Sequence, residues 1–385
     1  MVHRTQAPAP RSPQRLPLPD QVALVLQGGG ALGAYQGGVF EALVQAGIEI
    51  NWIAGISIGA INAAVIAGNR PEDRTQRLRA FWEKLSSGWA TPLLPNDAKP
   101  NEATHLLWAA FDAAIGVPGF FRPRAVPPFF APPGTPAAIS WYDSGPLAKT
   151  LDEFVDWDLL NNGPIRLSVG AVNIETGNFR YFDTTTETLD ARHIMASGAL
   201  PPGLPPIEIE GDWWWDGGLV SNTPLAHVLN NQTHDMLLFQ VDLFPARGAR
   251  PTSLSEVYSR EKDIRYSSRT RLVTDYSLDA RREHELVRRV LAKLPQELSA
   301  DPDVEKLTQI VAERAVNIVH LIYRKADWED WVRDFEFSRT DMEVHWNAGR
   351  DAIAQSMRNN ALLARNIASG RTAAFDLTNG KEMEE

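Results

Sequence analysis

Ser57 lies in the segment Gly55-Ile56-Ser57-Ile58-Gly59, which has the Gly-x-Ser-x-Gly pattern of a serine nucleophile. A serine hydroxyl attacks an acyl carbon when it is exposed, can lose its proton and has hydrogen-bond donors beside it for the oxyanion that forms. Glycines two residues to either side leave room for a sharp strand-to-helix turn from which the serine projects. Serine is also a common helix N-cap. The pattern therefore predicts acyl-transfer chemistry at Ser57, with a helix cap as the structural alternative.

The glycine-rich segment Gly28-Gly29-Gly30-Ala31-Leu32-Gly33 precedes Ser57 and can present backbone N–H groups to an anion. If the anion is a pyrophosphate, Gly28-x-Gly30-x-x-Gly33 is the fingerprint of an NAD(P)-binding oxidoreductase, with Glu49 near the position of a ribose-binding acid. If the anion is a tetrahedral oxyanion, the loop and the Ser57 turn form one site at adjacent strand ends. The second interpretation accounts for more residues, because Glu49 precedes the core of its strand and a dinucleotide site gives no reason for the serine turn.

Asp216-Gly217-Gly218 follows three consecutive tryptophans and supplies a carboxylate that could act as the base. An exposed aspartate has a pKa of about 3.9, too low to accept a serine proton readily. Partial burial beside the tryptophans would raise that pKa towards a useful range. Asp-Gly is also the commonest hairpin turn, so a purely structural role is the alternative for this motif.

The histidines offer no clear triad and no metal site. His227 and His234 follow the aspartate and would tempt a Ser-His-Asp interpretation, but we expect His227 in a helix and His234 in a polar loop, without catalytic roles. The remaining histidines considered show no metal-ligand spacing: His105, His193, His284, His320 and His345. The chain has no cysteine, which excludes thiolate ligands, disulfides and cysteine nucleophiles. We therefore predict no metal and no cofactor.

Together, the glycine loop, Gly-x-Ser-x-Gly and Asp-Gly-Gly, in this order over about residues 22–244, resemble the patatin-like phospholipase family. The resemblance implies hydrolysis of lipid acyl esters by a Ser57–Asp216 dyad without a histidine. It places the oxyanion hole at the backbone N–H groups of Gly28, Gly29 and Gly30. The supporting motif residues it implies are Gly33, Gly55, Gly59, Gly217, Gly218, Ser197, Pro201, Pro202, Asn222 and Pro224. Asp-Gly-Gly departs slightly from the Asp-Gly-Ala of many members.

The elements that must position these residues alternate between strand and helix. Apolar runs predict strands at 22–26 and 50–54, and helices at 34–47 and from Ser57 to Gly68. Further strands are expected at 165–173, 178–183, 207–209, 213–216 and 236–244. A βαβα order implies a mostly parallel sheet covered on both faces. We predict an α/β fold, a three-layer α/β/α patatin-like sandwich with a C-terminal helical region.

Three parts are expected along the chain. Residues 1–20 are basic and proline-rich without an apolar signal segment, which predicts a disordered leader. Residues 21–245 form the acyl hydrolase domain, interrupted by a proline and aromatic insertion at 91–140. Residues 250–385 form a mainly helical extension. One helical face of that extension is predicted to contain Leu307, Ile310, Val311, Ile318, Leu321 and Ile322.

Charge and composition limit the partners. A net charge of −10 over 385 residues argues against nucleic acid, which needs clustered lysine and arginine. Residues 117–130 are expected to line an acyl pocket, form a lid or pack as a surface cover. The local surplus of lysine and arginine at 260–293 is either a solvated helical face or an attraction for anionic head groups. We expect a lipid or other acyl-ester substrate, a cytoplasmic protein and peripheral membrane contact. A non-catalytic lipid-binding protein is the remaining alternative.

Overall fold

The computed structural model describes residues 16–87, 102–312, 314–378 and 381–382. Most of the predicted leader, residues 1–15, and residues 91–101 of the predicted insertion lie outside the described part. Residues 16–20 of that leader are described, and Leu16 is buried in the core.

Strands and helices are distributed along the whole of the described chain. The strands are β1 (Gln21–Leu26), β2 (Trp52–Gly55), β3 (Arg122–Pro123), β4 (Tyr142–Asp143), β5 (Arg166–Asn173), β6 (Phe179–Asp183), β7 (Ile207–Ile209), β8 (Asp212–Asp216), β9 (Met236–Asp242), β10 (Val316–Ile322), β11 (Ala373–Asp376) and β12 (Lys381–Glu382). The helices are α1 (Gly33–Gln45), α2 (Ile58–Ala67), α3 (Arg74–Leu85), α4 (Glu102–Ile115), α5 (Gly145–Phe154), α6 (Trp157–Asn162), α7 (Ala191–Ser197), α8 (Leu225–Asn230), α9 (Leu254–Leu291), α10 (Pro302–Ile310), α11 (Arg339–Arg358) and α12 (Ala361–Ala368).

One ten-stranded sheet organises the molecule. Its order is β12-β11-β10-β9-β1-β2-β5-β8-β7, with β6 also paired to β5. Six neighbouring strands from β11 to β5 run parallel, while β6, β7, β8 and β12 pair antiparallel. The prediction of a mostly parallel sheet with helices on both faces is confirmed.

The two faces of β1 explain why its apolar run is continuous. Val22, Leu24 and Leu26 join the larger core cluster, which includes residues of α1, α2 and α11. Ala23 and Val25 face the opposite side and pack in a smaller cluster with residues of α8. A parallel strand buried on both faces needs apolar side chains at every position rather than at alternate ones.

The predicted long helical face from Leu307 to Ile322 is wrong. The chain forms the short helix α10 and then β10, which pairs in parallel with β9 over seven residues from Val316 to Ile322. A short run of buried apolar residues satisfies helical spacing and a fully buried strand equally well. The C-terminal region therefore contains helices, as predicted, but also extends the central sheet.

The predicted irregular insertion also contains regular structure, because residues 102–115 form α4. The uncharged stretch from Ile50 to Gly68 consists of β2 and α2, with a turn between them. Among the helices that the structure describes, none is long and apolar enough to cross a membrane.

The carboxyl ends of β1 and β2 lie side by side, since Leu26 pairs with Gly55. The glycine loop follows the first strand and Ser57 follows the second, so the parallel sheet brings them to one edge. β8 runs antiparallel to β5, with Asp216 opposite Ala171. This arrangement brings the aspartate to the same edge.

Candidate active site

Ser57 occupies a strained turn between β2 and α2. Its backbone has φ 55° and ψ −123°, a conformation that non-glycine residues rarely adopt and that often marks functional sites. Its side chain makes no capping hydrogen bond to the helix, so the helix-cap alternative does not explain this serine. The Ser57 amide donates to Ser197 Oγ at 3.0 Å, and the Ser197 hydroxyl donates to the Gly170 carbonyl at 2.7 Å. Ser197 thus stabilises the turn by linking it to β5.

The glycines around Ser57 are required by close backbone contact. A Cβ at Gly55 would lie 2.4 Å from the carbonyl group of Gly59, and a Cβ at Gly59 would lie 2.4 Å from the Leu26 carbonyl oxygen. Both distances are far below van der Waals contact. The Gly-x-Ser-x-Gly spacing therefore lets α2 start directly against the ends of β1 and β2.

The glycine loop lies beside the serine. A Cβ at Gly28 would be 3.1 Å from Ser57 Cβ. The Gly28 amide donates to the Asn222 carbonyl at 3.1 Å, and Asn222 Nδ2 donates to the Gly28 carbonyl at 3.0 Å. In contrast, the amides of Gly29 and Gly30 have no acceptor within the described ranges. Of the three glycines that the family resemblance assigns to the oxyanion hole, Gly29 and Gly30 have free donors and Gly28 does not.

A buried side-chain network fixes the start of this loop. Gln27 Oε1 accepts from the amides of Leu243 at 2.6 Å and Phe244 at 3.0 Å. Gln36 on α1 donates to the Gln27 carbonyl at 2.6 Å, and Asn62 on α2 donates to Gln36 Oε1 at 2.9 Å. Sequence reasoning missed these residues, although buried polar side chains inside apolar helices are the signal that could have found them.

Asp216 ends β8 and is only 2% exposed. Its carboxylate accepts a hydrogen bond from the Gly218 amide at 2.7 Å, and it lies close enough to the Ser57 side chain for that group to lower its pKa. Gly217 must be small because a Cβ there would lie 2.6 Å from the Gly170 carbonyl oxygen. The bond from Gly218 has the form of a turn cap, so Asp216 both closes its turn and contacts the serine.

The environment of Asp216 matches the need for a base. Burial raises its pKa from 3.8 to about 7, and the hydrogen bonds from Ser57 and Gly218 oppose that rise without cancelling it. A general base works best when its pKa lies near the operating pH. The carboxylate can therefore exist in both protonation states near neutrality.

The two histidines that follow Asp216 lie elsewhere. His227 Nε2 is 3.3 Å from Asp183 Oδ2, and its ring stacks on Tyr181 with centroids 4.0 Å apart. His234 contacts the Thr233 hydroxyl in the loop before β9, at the amino edge of the sheet. Within the described chain, no histidine hydrogen-bonds Ser57 or Asp216.

Glu49 is also remote from the glycine loop. It is exposed on the segment before β2, whereas the loop follows the carboxyl end of β1, and the two strands are parallel. The acid and the glycines thus lie at opposite edges of the sheet. Glu49 therefore cannot serve as the ribose-binding acid of a dinucleotide site at this loop.

The C-terminal region contributes to the site. The Asp334 carbonyl accepts from the Ala31 amide at 2.8 Å. Gly30 has φ +54°, and a Cβ there would lie 1.9 Å from the same carbonyl oxygen. Lys262 on α9 donates to Asp334 Oδ1 at 2.6 Å, and the Tyr266 carbonyl accepts from Gln27 Nε2 at 3.1 Å. No local sequence signal marks these residues, since Asp334 and Tyr266 contact a segment more than 200 positions away and Lys262 acts through Asp334.

Comparisons with known proteins agree on the family that this chain resembles. A model described as Patatin-like phospholipase matches residues 24–229, and one described as Patatin phospholipase matches residues 264–368. The Homo sapiens Patatin-like phospholipase domain-containing protein 6 is 38% identical over 75 residues, covering 20% of this chain and 6% of that protein. Neuropathy target esterase sws of Drosophila persimilis is 36% identical over 218 residues, covering 53% of this chain and 12% of that protein. This chain spans a small part of either relative.

Solved structures align over most of the chain at low identity. Human GIVD cytosolic phospholipase A2 gives a TM-score of 0.42 at 11% identity, covering 91% of this chain and 60% of that chain. VipD from Legionella pneumophila gives a TM-score of 0.40 at 14% identity, covering 93% of this chain and 72% of that chain.

The first family model covers more than half of the 385 residues. Its matched range contains the glycine loop, the Ser57 turn and the Asp216 turn. This chain belongs to the patatin-like phospholipase family.

Proposed function

We propose that this protein is a serine acyl hydrolase that cleaves acyl esters of lipids, with Ser57 as nucleophile and Asp216 as base. The observation that carries the proposal is the approach of the Ser57 side chain to the buried Asp216 carboxylate, which lowers the pKa of that carboxylate against the effect of burial. The free amides of Gly29 and Gly30 on the adjacent loop supply donors for an oxyanion.

The reaction follows from these groups. Asp216 accepts the Ser57 proton as Oγ attacks the ester carbonyl, and the Gly29 and Gly30 amides stabilise the negative charge on the carbonyl oxygen. Collapse of this intermediate expels the alcohol, which takes the proton from Asp216. Water then attacks the acyl-enzyme with Asp216 again as base, and releases the carboxylic acid and the free Ser57 hydroxyl.

An exposed apolar surface, on a segment that hydrogen bonds link to the Asp216 strand, supports a lipid substrate and peripheral contact with its membrane. Phe129 and Phe130 are 83% and 80% exposed, in the segment between β3 and β4. That segment is joined to the turn before β7, because the Trp141 amide donates to the Pro202 carbonyl at 3.1 Å. The same turn contacts the catalytic aspartate, since the Asp216 amide donates to the Ala199 carbonyl at 3.1 Å.

Covalent labelling tests the proposal directly. We expect a fluorophosphonate probe to label the wild type and the Ser87→Ala control, and to leave Ser57→Ala unlabelled. Hydrolysis of p-nitrophenyl butyrate should fall by at least about 10³-fold in Ser57→Ala and Asp216→Asn. Unchanged labelling or turnover in Ser57→Ala would show that another residue is the nucleophile. A panel of phospholipid and neutral-lipid vesicles would then identify the ester.

A further inference from the structure

Three acidic or histidine side chains from distant segments meet in the interior near α4 and α11. His105 lies on α4, Glu336 on the segment before α11, and Asp341 in the first turn of α11. They are 2%, 1% and 3% exposed. One potential ligand atom from each lies within 4.8 Å of the others. None of these residues touches the Ser57 site in the contacts described above.

The polar atoms of this cluster approach one another without forming hydrogen bonds. His105 Nε2 is 3.0 Å from Asp341 Oδ2, and His105 Nδ1 is 3.2 Å from Asp330 Oδ1. Yet, among the residues that the structure describes, both ring nitrogens, Asp341 Oδ2 and Glu336 Oε2 are buried at ion-pair distances without a partner in hydrogen-bond geometry. Such orphaned atoms are costly in a protein interior.

Metal coordination explains this geometry. Ligand nitrogen and oxygen atoms lie about 2.0–2.2 Å from a transition-metal ion, so ligands at right angles are about 3 Å apart and ligands at tetrahedral angles about 3.4 Å apart. Their lone pairs point at the ion rather than at each other, which gives short contacts with poor hydrogen-bond angles. The separation of His105 Nε2 and Asp341 Oδ2 fits this arrangement.

The charge around the cluster favours a cation. Asp112, Glu329 and Asp330 are also buried nearby, and His105 and Asp341 lie among these acids. The two closest arginines in the sequence are engaged by other groups. Arg333 pairs with Asp263, and Arg339 donates to Ser86 Oγ and the Glu83 carbonyl. Buried carboxylates that stay ionised need a neighbouring positive charge, which a bound metal ion would provide.

A hydrogen-bonded acid–histidine pair lies beside Asp341. His345 Nε2 lies 2.6 Å from Glu329 Oε1, and the Tyr323 hydroxyl donates to the Glu329 carboxylate at 2.7 Å. Glu329, Asp341 and His345 also form a second group with mutually close ligand atoms. Carboxylate–histidine pairs of this kind typically orient the ligands of metal sites.

We propose that His105, Glu336 and Asp341 bind a divalent transition-metal ion, with the Glu329–His345 pair as the supporting layer. Imidazole and carboxylate donors suit zinc, manganese or iron in its ferrous state. The ion joins α4, α11 and the segment before α11. Because Asp334 in that segment accepts from the Ala31 amide, the ion has a structural role behind the glycine loop.

Metal analysis of the full chain, purified with a histidine-free tag, tests the site. After gel filtration in chelator-treated buffer, we expect about one ion per chain by mass spectrometry of the metal. The double variant His105→Gln/Glu336→Gln should retain at least about fivefold less, and the exposed-loop control His234→Gln should match the wild type. Equal content in the double variant and the wild type would overturn the site.

A stability measurement on the wild type keeps the proposal testable if the double variant does not fold. Removal of the ion with a strong chelator should lower the Tm, and adding zinc, manganese or ferrous iron in excess of the chelator should restore it. Content below about one ion in ten chains after reconstitution with each metal, with no change in Tm, would overturn the proposal. Ser57→Ala should bind the ion like the wild type, so this result is separate from the hydrolase test.

Discussion

Asp216 closes a turn, is buried and lies next to the Ser57 side chain. Its carboxylate is removed from water at the end of β8, and within the described part of the chain its neighbouring donors are the Ser57 hydroxyl and the Gly218 amide. These two donors are too few to replace its hydration, so the pKa rises to about 7. In the proposed mechanism a histidine is then unnecessary as a base, because the carboxylate itself titrates where a histidine would.

The raised pKa predicts the pH dependence of activity. Only the ionised form of Asp216 accepts the Ser57 proton, and with a pKa of about 7 that form accumulates as the pH rises. We expect kcat/KM on p-nitrophenyl butyrate to increase about tenfold per pH unit below pH 7 and to level off above it. Rates measured from pH 5.5 to 8.5 would check this. A flat profile over that range would contradict a base with this pKa.

The same shift predicts that Asp216→Asn stabilises the fold. A raised pKa means that the folded state binds the proton more tightly than the unfolded state, so the destabilisation is absent below pH 4. It grows as the pH rises towards about 7 and is constant above that value. Asparagine carries no charge to bury. We expect Asp216→Asn to unfold at higher urea concentration than the wild type at pH 8, by a free energy of about 1–4 kcal/mol.

Measurements at pH 5.5 provide the internal control for this variant. The difference between the two proteins should shrink there, because the wild-type carboxyl is mostly protonated in the folded state. An Asp216→Asn protein that is less stable than the wild type at pH 8 would show that the carboxylate contributes favourable interactions larger than its desolvation.

The glycine loop near the start of the chain is held by contact with the segment before α11. Gly30 adopts φ +54° under the Asp334 carbonyl, where a Cβ would lie 1.9 Å from the oxygen. Gly30→Ala must therefore move either the loop or the segment before α11. We expect a loss of about 2–4 kcal/mol in unfolding free energy and at least about 10²-fold in kcat, since the amide donors shift.

Gly47→Ala is the matched control for that change. Gly47 has φ +70° and nothing within 4 Å of an added Cβ. The substitution therefore introduces backbone strain without a steric clash. We expect it to lose about 1–2 kcal/mol in unfolding free energy and to keep wild-type kcat. Equal losses in both variants would mean that strain alone, rather than contact with Asp334, sets the loop.

Local signals explain what the sequence could predict at the level of elements. The strand, glycine loop and helix around residues 22–68 follow from apolar runs ended by glycines, and the dyad residues sit at the turns that these motifs mark. Both Ser57 and Asp216 were predicted from neighbouring residues, although the likeness to a family was needed to pair them.

The parts that could not be predicted depend on long-range contacts. β10 has the apolar spacing of a helix, and only its pairing with β9 makes it a strand. His105 and Asp341 show no ligand spacing because they come from helices more than 200 residues apart. The engagement of the Gly28 amide by Asn222 is equally invisible in the sequence. Each of these features arises from tertiary contacts between distant segments rather than from a local preference.

At the scale of the whole molecule, the predicted division at residues 245–250 does not separate two sheets. β10 adds to β9, and the segment before α11 lies on the glycine loop. A chain truncated after residue 245 would expose β9 as an edge strand, together with apolar surface on α1 that α11 covers. We expect it to be insoluble or to lack a cooperative thermal transition. A soluble 16–245 fragment that unfolds cooperatively would establish an independent domain.

The exposed aromatic surface predicts how the proposed hydrolase binds to a lipid membrane. Phe129 and Phe130 stand out from the segment that adjoins the turn before β7, so inserting them into a bilayer would bring the Ser57 edge towards the lipid. Each phenylalanine contributes about 1.5–3 kcal/mol when its ring leaves water, so Phe129→Ser/Phe130→Ser should weaken binding to phosphatidylcholine vesicles by roughly 10²-fold or more. Hydrolysis of soluble p-nitrophenyl butyrate should stay at the wild-type rate, because neither ring contacts the dyad. Leu307→Ser/Ile310→Ser on α10, which precedes the amino edge of the sheet, removes two apolar groups that are 41% and 51% exposed and should leave vesicle binding unchanged. Equal losses in the two double variants would mean that general surface hydrophobicity, rather than this segment, brings the enzyme to the membrane.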